Sequence, residues 1–388
     1  MPTGPATVAG DAHNLTDQCD WFSEENRTNR VTERMDTAGC LFLSILPYGK
    51  AVSALMWICV LLTILSFLVN GLTLFGIGRS EDLSWETRVA FFKNLILSDL
   101  LQTVTFGPPV IHSLFKRRTI AFNSWCYAQF FVGTVSIFSS LLTITCMALE
   151  RYFYVCHAIH YLVILTQVRL RLVLSLIWVY SISVGTINLL LLHTGRGQKS
   201  EQVTSGLLCE PDVVEQLMGF PRAAAVFRKL MGVFTLLLCL LVNAFSYLRM
   251  YKDARNAIIP FHAVNNTARK TVLFYCSMLG LQLLPLLLKV ISDALWELEG
   301  TGTLMALSSQ AKTNPPQTAA VLHVSLLVML LVPPCINPLV YGLRNVEMRH
   351  AILSLFRLWR QRRVAGARGV EEIRVGNIIV LQNRAQAG

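Results

Sequence analysis

Val52–Ile77 reads V-S-A-L-M-W-I-C-V-L-L-T-I-L-S-F-L-V-N-G-L-T-L-F-G-I, without one charged side chain. A helix needs ~20 mostly apolar residues to cross a bilayer core, so this stretch is long enough to span. Six more follow it: Val89–Leu114, Trp125–Cys156, Val168–Leu192, Val226–Tyr251, Thr271–Leu295 and Ala319–Leu343. The third and fifth spans read as the least uniformly apolar. The whole chain agrees, with 388 residues, 53% hydrophobic and only 15% charged. Average soluble domains carry roughly 25% charged residues. A disordered chain is excluded, and an ordinary soluble globule does not fit. The expectation is an all-α membrane protein, a bundle of seven spanning helices.

Basic residues in short loops orient such a bundle. The loop after the third span carries His157, His160, Arg169 and Arg171. The loop after the fifth carries Arg249, Lys252, Arg255, Arg269 and Lys270, and the tail carries Arg344, Arg349, Arg357, Arg360, Arg362 and Arg363. With seven spans these regions share one face, which is expected to be cytoplasmic. The +11 net charge is therefore assigned to a membrane face, and no nucleic-acid partner is expected. Lys116, Arg117 and Arg118 oppose the rule but are outnumbered. The acidic N-terminus lies outside, and its sequons at Asn14 and Asn26 are expected to carry glycans. A third sequon at Asn265 falls on the cytoplasmic side and is expected to be unused. No cleavable signal peptide is visible, so the first span is expected to act as a signal-anchor.

The organisation expected is a glycosylated external tail over residues 1–50, the bundle over 51–343, and a surface helix over 344–363. Residues 364–388 are expected to form a disordered cytoplasmic tail. In the 344–363 segment Met348, Ile352, Leu355, Phe356 and Trp359 recur at helical spacing among arginines. That pattern suits an amphipathic helix on an anionic leaflet, or a solvated tail helix. The ten cysteines show no zinc spacing and no CxxC pair. No HExxH or GxSxG stretch is present, and Asp99 has no second mid-membrane acid to pair with, so no enzyme is expected. No internal repeat points to a transporter.

Ionisable and amide groups inside spans are costly and mark function. They are Asn70 in the first span, Ser98-Asp99 in the second and Glu150-Arg151-Tyr152 at the inner end of the third. Trp178 in the fourth, Pro285 in the sixth and Asn337-Pro338-Leu339-Val340-Tyr341 in the seventh complete the set. Cys126 precedes Arg151 by 25 positions, ~37 Å on a straight helix, so the two occupy opposite faces of the bilayer. In this order and spacing the set resembles the rhodopsin-like (class A) G-protein-coupled receptors. Finer detail resembles odorant receptors, fish-type above all. It lies in Met147–Tyr152 through Cys156-His157-Ala158-Ile159-His160-Tyr161, in Ser246-Tyr247, and in Pro334–Asn345. Glu150 replaces the usual aspartate, and the aromatic residue common near Pro285 is absent.

The resemblance implies a plasma-membrane receptor that binds a small odorant between the outer helix ends. It also implies activation of a heterotrimeric G protein of the stimulatory olfactory type. A non-olfactory receptor for a small acid, lipid or nucleotide is the alternative. Cys126 and Cys209 are expected to form a disulfide, and Cys19 and Cys40 either pair or tie the tail elsewhere. Arg151 is expected to be restrained at rest, with Glu150 beside it easing the cost of its charge. On activation it reaches toward Tyr247, Tyr341 and the G protein, with Lys270 lining the same cavity. Asp99, Ser140 and Asn337 suggest a sodium site, or a protonated Asp99 in a water network; no other cofactor is expected. His112, Gln129, Phe130, Gly133, Thr134, Arg228, Lys289 and His323 are the candidate ligand contacts. Lys289 or Arg228 is expected to face an anionic ligand, or to snorkel to the surface.

Overall fold

The computed structural model describes residues 49–79, 87–120, 124–157, 159–194, 207–209, 222–257 and 330–340, with single positions at 39, 42, 46, 277, 280, 284, 327 and 328. The described residues form helices and short connections. The helices are α1 (Gly49–Arg79), α2 (Thr87–Lys116), α3 (Ser124–Cys156), α4 (Tyr161–Ile164), α5 (Gln167–Thr194) and α6 (Arg222–Ala257), followed by α7 (Leu330–Val340). Five of them are long and apolar enough to cross a membrane. At 1.5 Å per residue even the 28-residue α5 runs ~42 Å, past both edges of a ~30 Å core. These five are the first five expected spans, the third longer than expected by one residue and the fifth by ten. Over its whole length α6 is the least apolar of the five, as expected of the fifth span, whereas α2 has the least apolar central stretch. α7 is the described part of the seventh span. Apart from positions 277, 280 and 284, the span Thr271–Leu295 with Pro285 lies outside the described residues, as do the sequons at Asn14 and Asn26 and the segment after residue 343.

α2 and α3 form the centre. α1 and α3 pack on α2, and α5 and α6 pack on α3. α2 is helical through Pro108 and Pro109, two positions the sequence reading passed over. Each lacks an N–H, so a carbonyl four residues earlier loses its helical donor. The chain leaves α2 through Arg117, whose φ of 52° is left-handed. The Arg118 amide then donates back to the Ser113 carbonyl at 3.2 Å.

Burial is inverted relative to a soluble bundle. Trp57, Leu61, Phe67 and Phe75 of α1, Leu172, Leu176 and Val179 of α5, and Leu230, Leu237 and Leu241 of α6 point outward. Asn70, Asn94, Ser98, Asp99, Gln102, Ser139, Asn243 and Asn337 point inward and are buried. Lipid tails are as apolar as leucine, so outward apolar residues lose nothing, and the polar groups must find partners within the protein.

Candidate functional site

A polar column runs through mid-bundle. Asp99 accepts from the Asn337 amide at 2.9 Å and from the Ser140 hydroxyl at 3.4 Å. Asn70 donates to the Pro334 carbonyl at 2.8 Å and to the Ser66 hydroxyl at 3.1 Å. Ser66 in turn shares a 2.7 Å hydrogen bond with Thr103. Gln102 donates to the Leu330 carbonyl at 2.8 Å. α1 and α2 are thereby tied to α7 by side-chain amides and one carboxylate. One layer inward, Asn94 donates to Thr143 at 2.7 Å and accepts from the Trp178 indole at 2.7 Å. Ser98 donates to Ser139 at 2.9 Å. Asn94 therefore joins α2, α3 and α5 through one side chain. The sequence marked Asp99, Ser140, Asn337, Asn70 and Trp178. Asn94 and Gln102 went unmarked as partners, although amides inside apolar spans are signal enough.

At the C-terminal end of α3, Glu150 is 3% exposed. Its Oε1 accepts from the Arg88 Nε at 3.0 Å and from the Tyr161 hydroxyl at 2.7 Å. Glu150 thus serves two groups on other elements besides standing next to Arg151 in the chain. Consecutive residues on a helix point ~100° apart and do not face each other. The carboxylate turns to the start of α2 and to α4. Burial and the Glu150 carboxylate both push the Tyr161 phenol well above its ordinary value, so it stays a donor. Arg88 was not marked in the sequence; a lone arginine opening a span was the available signal. Arg151 is half-buried. Tyr247 of α6 is buried against Ala148 and Met250, with Tyr152 and Cys156 at the edge of that cluster. Tyr247 and Tyr152 thus share one apolar cluster. Asn337 and Pro338 lie on α7, while Lys270 and Tyr341 lie outside the described residues.

At the N-terminal end of α3, Cys126 and Cys209 are joined as a disulfide, Cα to Cα 5.2 Å. Phe130, Leu192 and Ala224 pack around it, so Phe130 supports the disulfide. Gln129 is 1% exposed, and neither its amide nitrogen nor its amide oxygen has a hydrogen-bond partner. Gly133 lies one turn further in and faces α2; a Cβ there would stand 2.5 Å from the Phe106 ring. Thr134 donates to its own helix, to the Phe130 carbonyl at 2.8 Å. His112 is exposed and Arg228 half-buried. The structure therefore brings Gln129, Gly133 and Thr134 to one stretch of α3 and leaves His112 facing outward. Lys289 and His323 lie outside the described residues, as do Cys19 and Cys40.

A bundle that is apolar outside, polar inside and clasped by a disulfide at one end defines a multi-pass helical membrane protein. The chain matches the profile described as 7 transmembrane receptor (rhodopsin family) over residues 69–341, and it belongs to that family. It is accordingly a plasma-membrane receptor for a small ligand, coupled to a heterotrimeric G protein. Human olfactory receptor 1N2 is 25% identical over 287 residues, 71% of this chain and 81% of that protein. Human melanopsin is 25% identical over 304 residues, 76% of this chain and 60% of that protein. A QRFP-like peptide receptor of Branchiostoma floridae is 27% identical over 159 residues, 41% of each chain.

Proposed function

We propose that this receptor is odorant-type, with its N-terminus outside, and that it drives a stimulatory olfactory G protein from its cytoplasmic face. One observation carries the ligand-to-switch reading: α3 holds both ends of it. Gln129 offers a buried amide without a partner, a few residues below the disulfide. Glu150 and Arg151 sit ~33 Å away at the other end of the same helix. An unpaired buried amide costs about 1–3 kcal/mol, which a ligand carrying both an acceptor and a donor would recover. A carboxylic acid, an amide or a hydroxy-carbonyl compound fits that chemistry. Of the two cations expected to face an anionic ligand, Arg228 and Lys289, Arg228 lies among the described residues and is half-buried near the start of α6. The olfactory relatives and the third- and seventh-helix signatures support the odorant reading. The relatives outside the olfactory group favour a second one, a non-olfactory receptor for a small acid, lipid or nucleotide.

Agonist works by binding the active bundle more tightly than the resting one. In the active state Arg151 is released toward Tyr247 and the G protein. Asp99 and Ser140 supply hard oxygen atoms that suit a sodium ion, with Asn337 hydrogen-bonded alongside. Among the described residues no cluster of three His, Cys, Asp or Glu could hold a tighter metal. Sodium bound there would neutralise Asp99 and brace α2, α3 and α7 in the resting packing.

The test is cyclic AMP in cells expressing the chain, challenged with pools of acidic, neutral and amine odorants. Arg151→Ala and Gln129→Leu variants are run at matched surface expression. A response to an acidic or carbonyl-bearing pool is expected. Arg151→Ala abolishes it, and Gln129→Leu raises the half-maximal concentration about ten-fold, one polar contact's worth. A silent receptor in every pool moves the weight to the non-olfactory reading. An unshifted Gln129→Leu curve removes that residue from the ligand site.

A further inference from the structure

Residues ahead of α1 belong to the bundle. Gly39, Phe42 and Leu46 are buried, Phe42 at 0% exposure. The Leu46 amide donates to the Phe42 carbonyl at 2.9 Å, and spacings of three and four put the three residues on one side of a helical turn. Phe42 and Leu46 share one buried cluster with Val52 and Cys59 of α1, Val110 and Leu114 of α2, Leu207, and Leu331 of α7. Leu207 is held in turn, because Ser113 of α2 donates its hydroxyl to the Leu207 carbonyl at 3.2 Å. Two positions later the chain reaches Cys209 and its disulfide to α3.

One ring carries this cluster to the candidate ligand stretch of α3. Phe106 of α2 packs against the cluster, and its tip fills the place of the missing side chain at Gly133, where a Cβ would stand 2.5 Å from Phe106 Cζ. Gln129, with its unpaired amide, lies one turn away. Pro108 and Pro109 sit inside α2, so the two helical hydrogen bonds that would span Phe106 are missing. Side-chain packing must then hold this part of α2. Phe106, Val110 and Leu114 follow one another at intervals of four, on one face of the helix. Helices of this length project past the lipid core, so a displaced Phe42 would meet water. Burying an apolar side chain from water favours the closed form by about ten- to a hundredfold.

We propose that the stretch carrying Gly39, Phe42 and Leu46 is an intramolecular strap, and that through Phe106 it sets the size of ligand the receptor accepts. The strap closes the disulfide end of the bundle between α1, α2 and α7 and braces the last turns of α2. That keeps the Phe106 ring seated on Gly133, and the space beside Gln129 ends at the ring. With the strap loosened the ring yields, and longer ligands fit. Phe106 acts at the ligand stretch itself, and Phe42 is a positioning residue that acts through it. The size role rests on the Gln129 reading given above; the strap does not.

Thiol labelling of the full-length receptor in nanodiscs tests the strap without a ligand. Cys59 is 0% exposed within the cluster, whereas Cys239 is 1% exposed in a separate cluster with Leu141 and Leu236. Phe42→Ala/Leu46→Ala is expected to speed N-ethylmaleimide labelling of Cys59 about ten-fold, and Phe42→Leu to speed it less. Cys239 is expected to keep its rate in Phe42→Leu. An unchanged Cys59 rate in both variants, or Cys239 rising in step with Cys59 in Phe42→Leu, overturns the strap. The size role is read from cyclic AMP responses to straight-chain carboxylic acids, butanoic to dodecanoic, at matched surface expression. Phe106→Ala and Phe42→Ala/Leu46→Ala are each expected to extend the response to longer acids than the parent accepts, and their combination to extend it no further. An unmoved chain-length limit in Phe106→Ala, or a strap effect that adds to it, overturns the size role. Silence from every acid in every variant would sink the acid reading of Gln129 and the size role with it, and the thiol rates would still decide the strap.

Discussion

Asp99 shows what a single charge does inside this bundle. Two donors from different helices, Ser140 of α3 and Asn337 of α7, converge on its two oxygens. Replacing it by asparagine keeps the shape and removes the charge. If sodium binds there, 150 mM NaCl is expected to raise the melting temperature of the detergent-solubilised receptor relative to choline chloride. Asp99→Asn is expected to lose that difference and retain the fold. Equal melting in both salts for the parent chain would point to a protonated Asp99 among waters. Gln129 is the opposite case, a buried amide that the protein leaves unpaired. The other buried amides with an unpaired oxygen, Asn70 and Asn243, keep their nitrogens bonded.

Helix packing depends on small residues where two backbones approach. Gly107 of α2 is one such place. A Cβ added there would lie 2.6 Å from Thr63 Cγ2 and 2.7 Å from Thr63 Oγ1 of α1. Thr63 has little freedom to move aside, because its hydroxyl donates to the Cys59 carbonyl at 2.7 Å and its side chain is branched. Alanine in place of glycine ordinarily favours a helix by up to about 1 kcal/mol. Gly107→Ala is nonetheless expected to destabilise, by about 1–3 kcal/mol of overpacking. Thr63→Ala in the same chain is expected to rescue it. Thermal unfolding of the single and double variants checks both, and a Gly107→Ala receptor more stable than the parent would refute the contact. The same close approach explains Gly185 of α5, where a Cβ would meet Val135 and Phe131 of α3 at 3.1 and 3.2 Å.

At the scale of the molecule the solvent sets the pattern. Leu237 of α6 is 52% exposed and Asn243, six residues on, is buried beside Thr145 of α3. In water that arrangement would be costly on both counts; in lipid it is favourable on both. Leu237→Arg is expected to cost about 2.5–3.5 kcal/mol of insertion free energy and to lower surface expression strongly. Leu237→Phe is expected to be tolerated, as surface labelling would report. Normal display of Leu237→Arg would mean that this face of α6 is not lipid-facing. The inverted burial also accounts for how α2 could read as a span although its central stretch is the least apolar of the five. It is the helix most enclosed by others, so its polar residues have protein partners rather than lipid.

Much of the architecture was legible in the chain itself. A bilayer demands long apolar runs, and no soluble fold repeats them so evenly, so the first five spans emerged within a few residues of their ends. Asp99, Ser140 and Asn337 could be grouped by resemblance, and so could Cys126 with Cys209. Their spacing along helices of fixed rise also sets their depth in the membrane. Pairing across helices was another matter. Helical periodicity gives each residue a height and a rough direction, and contacts between helices depend on rotations and separations that periodicity does not contain. Glu150 and Arg151 are neighbours in the chain, and only the tertiary structure gave the Glu150 carboxylate to Arg88 and Tyr161. The same packing left the Gln129 amide without a partner and set Gly107 against Thr63.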